Sequence, residues 1–488
     1  MVEGSAMRNA MARNTEQNGA APMEHPIAFP TVKIDLHVHS KFSKRPSQWV
    51  LQKLGCPESF TEPRQVYDIA KQRSMDLVTI TDHNTIAGAL EIAHLPGTFV
   101  SEEVTSYFTN NGCKVHVLVY DIDETHHQEI RKLRENIHDL TAYLQGEGIF
   151  HILAHPLYSV NDRLTMDHFE QLLLLFQNFE MNGARDDRQS RCLQQVLAAL
   201  TPDIMEKLAD KHGIVPAFPE PWRKNLAGGS DDHSGLNIGR THTAAPGPAT
   251  VGNLLTAVAG GRARVVRQSA TPLTLAHNLY GIAYQFYRNK FDLGRYANRD
   301  VLMRFLDRSL SPASETDSGL FSKLYFMWSY RKPPKVETTV PQGLMDAIRQ
   351  ETRNLIHENP SLLNPDNDPS GRFEDQERRW FDFVNQLCNK VMRGFADHLM
   401  GHLSGANVFN LFHTIGSAGG LYTLLAPYFV AFSHFTRDRA FIDDVADRFA
   451  GKRGAGAAGS GEVRVAHFTD TFYEVNGVAR RSEERRCR

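Results

Sequence analysis

The chain has 488 residues, 41% of them hydrophobic and 23% charged, with a formal net charge of −2. That is room for two or three domains of ordinary globular composition, and the near-neutral balance gives no basic field for nucleic acid, which counts against an exonuclease tracking along DNA. Five cysteines at unrelated positions (Cys56, Cys113, Cys192, Cys388, Cys487) form neither a disulfide framework nor a Cys-x-x-Cys zinc site, which favours a reducing cytoplasm.

Residues 1–30 are polar and lack the apolar run of a secretion signal, so they read as a disordered extension. Val32 to His39 then alternates apolar with polar residues, the period of a strand with one packed face, and puts His37 and His39 on the same side before Ser40-Lys41-Phe42-Ser43 breaks the pattern. Thr61 as N-cap with Pro63 in the first turn opens a helix to about Ser74. Strands follow at Leu77–Thr81 before Asp82-His83, at Val115–Val119, which carries His116 and ends before Asp121, at Ile149–Ala154 before His155-Pro156, and at Leu226–Ser230 before Asp231-Asp232-His233. Helical stretches at Glu124–Gln145, Met166–Phe176, Arg188–Leu200 and Pro202–His212 separate them. Strand and helix in alternation read as an α/β barrel, whose active sites collect at the C-terminal ends of the strands.

At those ends stand His37, His39, His83, Glu103, His116, His155, Asp231 and His233. Imidazole suits Zn, Mn and Fe, and a carboxylate can bridge two such ions, so the set reads as a multinuclear metal site that hydrolyses with a metal-bound hydroxide. A lone His beside a strand is more often an ordinary polar residue, and His94, His126, His127, His138, His151 and His168 are read that way. It is the ordered series that carries the metal reading. No Ser or Cys nucleophile motif stands out.

The segments Asp35-Leu36-His37-Val38-His39-Ser40, Ile80-Thr81-Asp82-His83-Asn84-Thr85, Ser101-Glu102-Glu103-Val104, Val115-His116-Val117-Leu118, Ala154-His155-Pro156 and Gly229-Ser230-Asp231-Asp232-His233 resemble those of the PHP (polymerase and histidinol phosphatase) metallophosphoesterases. The resemblance covers 31–265 and implies a distorted seven-stranded barrel with two or three divalent ions. By position it implies one ion on His37, His39, Glu103 and Asp231, a second on Glu103, His116 and His155, and a third near His83 and His233. Asp82 would orient a ligand rather than bind metal. The substrate class implied is a small phosphorylated metabolite, a nucleotide or sugar phosphate. Where the family supplies a further Asp or His for a third ion, this chain reads Ser43-Lys44-Arg45-Pro46. Either the third site is incomplete, or Lys44 and Arg45 bind the substrate phosphate directly. Arg185 and Arg240 are further candidate phosphate clamps.

Beyond Val265 a mainly helical region, 266–450, begins with Thr271 as N-cap and Pro272 in the first turn of a tract to Arg308; a polar break follows at Ser309–Ser318, then amphipathic stretches after Val340. From Leu403 to Phe435 there is no Asp, Glu, Lys or Arg, long enough in principle to cross a bilayer. Asn407, Asn410, His413, Ser417, Ser433 and Pro427 interrupt it, which favours a buried helical hairpin over an interfacial membrane segment, and either over a true span. The expected location is therefore the cytoplasm, with peripheral membrane contact through 403–435 as the alternative. A Gly/Ala linker occupies 451–462, and Val463–Phe472 with Val475-Asn476-Gly477-Val478 resembles the opening strand and glycine loop of GT-B-fold retaining glycosyltransferases. Fewer than thirty residues follow the linker, so 463–488 is expected to have no transferase activity of its own and to mark a shortened form of a longer two-enzyme chain. Two other readings stay open: a hydrolase unit accessory to a glycosyltransferase, and a metal site kept only as a structural or binding module.

Overall fold

A computed structural model describes residues 31–44, 56–291, 301–312, 344–359, 373–403 and 424–451. Its α/β part is built on two sheets. The larger comprises β2 (Ser101–Phe108), β3 (Cys113–Tyr120), β4 (His151–Leu153), β5 (Asn178–Asn182) and β6 (Asn225–Gly229) in that order; the smaller joins β1 (Thr31–Ile34), β7 (His242–Pro246) and β8 (Arg264–Val266). β2 and β3 form an antiparallel hairpin with Thr105 opposite His116, β4 runs antiparallel to β3, and β4, β5 and β6 are parallel. Helices Met166–Leu175, Asp187–Ala199 and Pro202–His212 make the crossovers, as parallel pairing requires.

The expected closed seven-stranded barrel is not formed among the described residues. Single bridges, Val38 to Asp232, Val78 to Thr98 and His83 to Glu103, stand where continuous ladders would close it. The cause is local. Side chains take the backbone donors that a ladder would use: Thr81 Oγ1 accepts from Val38 N (3.1 Å), Asp82 Oδ1 from Ser40 N (2.7 Å) and Asp35 Oδ1 from both His37 N (3.2 Å) and Ser230 N (2.8 Å). Such bonds satisfy buried amides while competing with regular pairing.

Several boundaries differ from the sequence reading. Glu124–Gln145 is two helices, Glu124–Leu133 and Ile137–Gly146, because Asn136 caps the second by accepting from His138 N at 3.1 Å. Glu62 rather than Thr61 caps Pro63–Gln72, in a box with Gln65. Leu77–Thr81 forms no strand beyond the Val78 bridge. The Thr271 cap is present in a box with Thr274, but its helix, Pro272–Lys290, stops well before Arg308, and Val301–Leu310 is a separate helix.

The core lies between the larger sheet and its helices, around Val104, Val117, Phe169, Phe179 and Leu193, and helix Arg439–Phe449 adds Ile442, Val445 and Ala446 to it. The C-terminal helices are therefore packed on the α/β unit. Among the described residues no helix is long and apolar enough to cross a membrane. Arg45, most of 403–435, and 452–488 with the linker and the glycosyltransferase-like stretch lie outside the described residues.

Candidate metal centre

All eight expected ligands converge at one end of the two sheets. β2 carries Glu103 and β3 carries His116; the segments after β1, β4 and β6 bring His37 and His39, His155, and Asp231 and His233. Gly229 lets β6 approach β1, since a Cβ there would lie 2.4 Å from His37 Cβ. His155 (φ 30°) and Asp231 (φ 53°) adopt left-handed backbone, a costly conformation for residues with a Cβ that surrounding bonds must hold. Glu180 Oε2 accepts from His155 N at 2.8 Å, and His37 O accepts from Asp231 N at 2.7 Å.

Glu103 sits at the middle. Its Oε2 is 3.2 Å from His37 Nε2, 3.2 Å from His39 Nε2 and 3.0 Å from His83 Nδ1, while its Oε1 is 2.8 Å from His116 Nδ1 and 3.2 Å from His155 Nε2. Asp231 Oδ1 stands 3.4 Å and 3.5 Å from the same His37 and His39 nitrogens. One carboxylate oxygen thus faces each half of the cluster, as a bridging ligand must.

The far nitrogens of the first pair are held. His37 Nδ1 lies 2.8 Å from Glu180 Oε1, and His39 Nδ1 lies 2.9 Å from Ser43 Oγ, which donates to Asp82 Oδ1 at 2.7 Å. Each Nδ1 is thereby the protonated nitrogen, and each Nε2 presents a lone pair to the centre. Those two Nε2 atoms are 3.0 Å apart and face carboxylate oxygens. His83 Nδ1, Glu103 Oε2, His116 Nδ1 and His233 Nε2 are buried and make no hydrogen bond. So many converging lone pairs repel one another unless protons or cations stand between them, and the donor set, imidazole with carboxylate, suits divalent transition ions. The residues fit such ions.

The electrostatics carry the same imprint. Burial pulls the His37 imidazole down, but Glu180, Asp231 and Glu103 outweigh it and raise it well above its ordinary value. Burial opposes ionisation of Glu103 too, yet His83, His37 and His116 hold it well below the usual carboxylate range. Burial takes His116 down to about 4.

Asp82 binds no ligand atom itself; it accepts from Ser40 N, Ser40 Oγ and Ser43 Oγ and acts on His39 through Ser43. Lys44 is exposed and absent from the cavity wall. In its stead stands Glu58, which no reading of the sequence singled out: it is buried, with Oε2 3.4 Å from His83 Nε2 and Oε1 3.5 Å from His233 Nε2. His83 thus borders both Glu103 and Glu58, and it falls in two groups of candidate ligands, one with Glu103 and His116 and one with His39 and His233. Arg240, expected as a phosphate clamp, does not line the cavity. Its guanidinium is buried against Glu377, Asn237 Oδ1 and the carbonyls of Gln268 and Ser269, away from the cluster. A second group, Asp167, Glu170 and His212, is already neutralised, because Lys211 Nζ donates to both carboxylates at 2.6 Å and Arg448 pairs with Glu170.

The cluster opens into a cavity of about 70 Å³. Its other walls are Tyr158 and Arg185 from the α/β unit, Leu275, Asn278, Leu279 and Ile282 from helix Pro272–Lys290, and His434 from the helical stretch 424–437. The helical region, which carries no catalytic pattern in sequence, thereby supplies one side of the site.

No family model matches the chain. A stretch of 73 residues is 42% identical to the uncharacterized protein MJ1587 of Methanocaldococcus jannaschii, covering 15% of this chain and 41% of that protein, so the match spans less than half of the relative. Among solved structures, PsfC from Pseudomonas syringae PB-5123 aligns over 52% of this chain and 98% of its own at 16% identity and a TM-score of 0.31. An amidohydrolase from Chromobacterium violaceum with bound sulfate aligns over 47% and 97% at 18% identity and a TM-score of 0.28.

Proposed function

We propose that this chain is a metal-dependent phosphoesterase of the PHP type, acting on a small phosphorylated metabolite such as a nucleotide or sugar phosphate. The observation that carries the reading is the bridging position of Glu103, each oxygen within 3.2 Å of at least two imidazole nitrogens, at the foot of a cavity walled by a guanidinium. His37, His39, Glu103 and Asp231 would hold one ion, Glu103, His116 and His155 a second, and His83, His233 and Glu58 a third. Bound there, divalent ions supply a water of lowered pKa and polarise phosphoryl oxygens.

The chain's own residues do the rest. Arg185, whose guanidinium carbon lies 3.6 Å over the Tyr158 ring and whose NH2 is 3.8 Å from Asp231 Oδ2, binds the non-bridging phosphate oxygens and sets the ester's orientation. Leu275, Leu279 and Ile282 exclude bulk water from the mouth of the cavity, which strengthens those contacts. Glu180 and the Asp82–Ser43 pair keep His37 and His39 aimed. The unit that performs this is 31–265, with 266–450 as its accessory wall.

The test is elemental analysis of the purified chain beside turnover of p-nitrophenyl phosphate and a panel of nucleotide and sugar phosphates. Two or three ions per chain and hydrolysis that stops on chelation are expected. Activity that survives exhaustive metal removal, with no metal detected, would overturn the reading.

A further inference from the structure

Resting on the phosphoesterase reading, we propose that His434, on the helical stretch 424–437 outside the α/β unit, is a positioning residue of the active site: it fixes Arg185 as the clamp for the substrate's anionic group. Arg185 NH1 donates to His434 Nε2, and Tyr158 lies edge-on to His155 and beneath the guanidinium. Arg185 is 9% exposed and its Nε has no hydrogen-bond partner among the described residues, so a buried donor stands at the cavity without an acceptor among them. A buried guanidinium left this way costs free energy unless a ligand completes it.

The acceptor role of His434 follows from its surroundings. Burial, then the neighbouring guanidiniums of Arg185 and Arg437, hold its imidazole well below the ordinary value, so the ring is neutral and Nε2 keeps its lone pair. The helix bearing it is tied down beside the site, because Arg437 donates to Ser159 O at 2.6 Å and pairs with Asp162 at 3.1 Å. Asp231 Oδ2 stands 3.8 Å from Arg185 NH2, so the guanidinium also borders the candidate ligands. Held between Tyr158 and His434, it can offer its remaining donors to a planar pair of phosphate oxygens. The ligand class this clamp fits is an anionic phosphate group, whose oxygens accept what the guanidinium donates.

The probe is inorganic phosphate, titrated calorimetrically into the metal-loaded full chain. His434→Leu is expected to weaken phosphate binding about tenfold through loss of the oriented charge-assisted contact, with metal content unchanged. His434→Gln, which keeps an acceptor, should recover most of the loss, a rescue that mere packing would not give. Should His434→Leu fail to fold, Tyr158→Leu, which removes the ring under Arg185, is expected to weaken phosphate binding likewise. Equal affinity in the folded variant and the parent would overturn the inference, as would a metal-loaded parent that binds no phosphate. Phosphate binding that depends on His434 in a chain that hydrolyses no ester would sink the phosphoesterase reading and leave the clamp standing.

Discussion

Glu180 Oε1 lies 2.8 Å from His37 Nδ1, and through that contact a residue in the middle of a buried strand decides which nitrogen of the first histidine faces the metal centre. Its other oxygen accepts from His155 N and Asn182 Nδ2, so one carboxylate aims His37 and secures the left-handed turn at His155. Glu180→Ala should lower metal affinity by about 10- to 100-fold, the usual cost of losing such a partner. Competition with a chromogenic chelator measures this directly, and an affinity within twofold of the parent would show that the tautomer is fixed elsewhere.

Metal loading should follow the ligand groups. Replacing His37 and His39 together with Ala is expected to remove at least one ion and to abolish hydrolysis, because both Nε2 atoms face the same Glu103 and Asp231 oxygens. Full stoichiometry by elemental analysis in the double variant would contradict that assignment.

Glu58 gives a sharper case. Burial works against its charge, but His233 and His83 bring its carboxyl down to about 2, so it is an anion at neutral pH beside two candidate ligands. Glu58→Ala should cost one ion while the group around Glu103 keeps its own. Loss of every ion, or of none, would each argue against Glu58 as a ligand of a separate position.

Legibility in the sequence tracked the physics of each segment. His37 and His39 were readable because apolar and polar residues alternate from Val32 to His39, even though both faces are buried from Ile34 onward, the polar one by the candidate ligands themselves. β5, Asn178–Asn182, is buried at every position, which erases the period of two and hid Glu180 with it. Glu58 lies in Cys56–Phe60, where the chain is neither helix nor strand, so no periodicity could point to it. Arg185 and Arg240 follow similar glycine-bearing loops, and only tertiary packing tells the residue at the cavity from the one paired with Glu377. The closed barrel failed for a related reason: the Asp, Ser and Thr side chains beside the ligands take backbone bonds that strand patterning presumes are shared between strands.

The helical region should weaken in acid. His277 is buried with Nε2 2.8 Å from the Ser309 carbonyl, and burial takes its imidazole down to about 4, with Arg240 nearby adding to the effect. The unfolded chain, with a value of about 6.5, takes up a proton first as the pH falls. Stability from this group is therefore complete above about 6.5 and is lost as the pH drops toward about 4. His277→Gln, which keeps a donor for Ser309 without the titration, should flatten the fall of Tm across that window relative to the parent. Parallel Tm curves for the two chains would remove His277 as the cause.

The last prediction concerns what joins the two regions. Arg240, from the loop between β6 and β7, pairs with Glu377 on helix Phe373–Leu403, and both side chains are almost wholly buried. Thr274 Oγ1 donates to the other Glu377 oxygen at 2.9 Å. Burial raises the Glu377 carboxyl despite Arg240, so its charge depends on this partner. Removing one member leaves an uncompensated buried ion, whereas replacing both with apolar residues of similar size need not. Glu377→Ala should therefore destabilise the chain by about 3–5 kcal/mol, and Arg240→Met with Glu377→Leu should restore most of that loss in urea unfolding. Metal content should stay constant throughout, since neither residue approaches the ligands. If Glu377→Ala were as stable as the parent, the pair would not be what fastens the helices; if it lost its metal, Arg240 would have to be returned to the site.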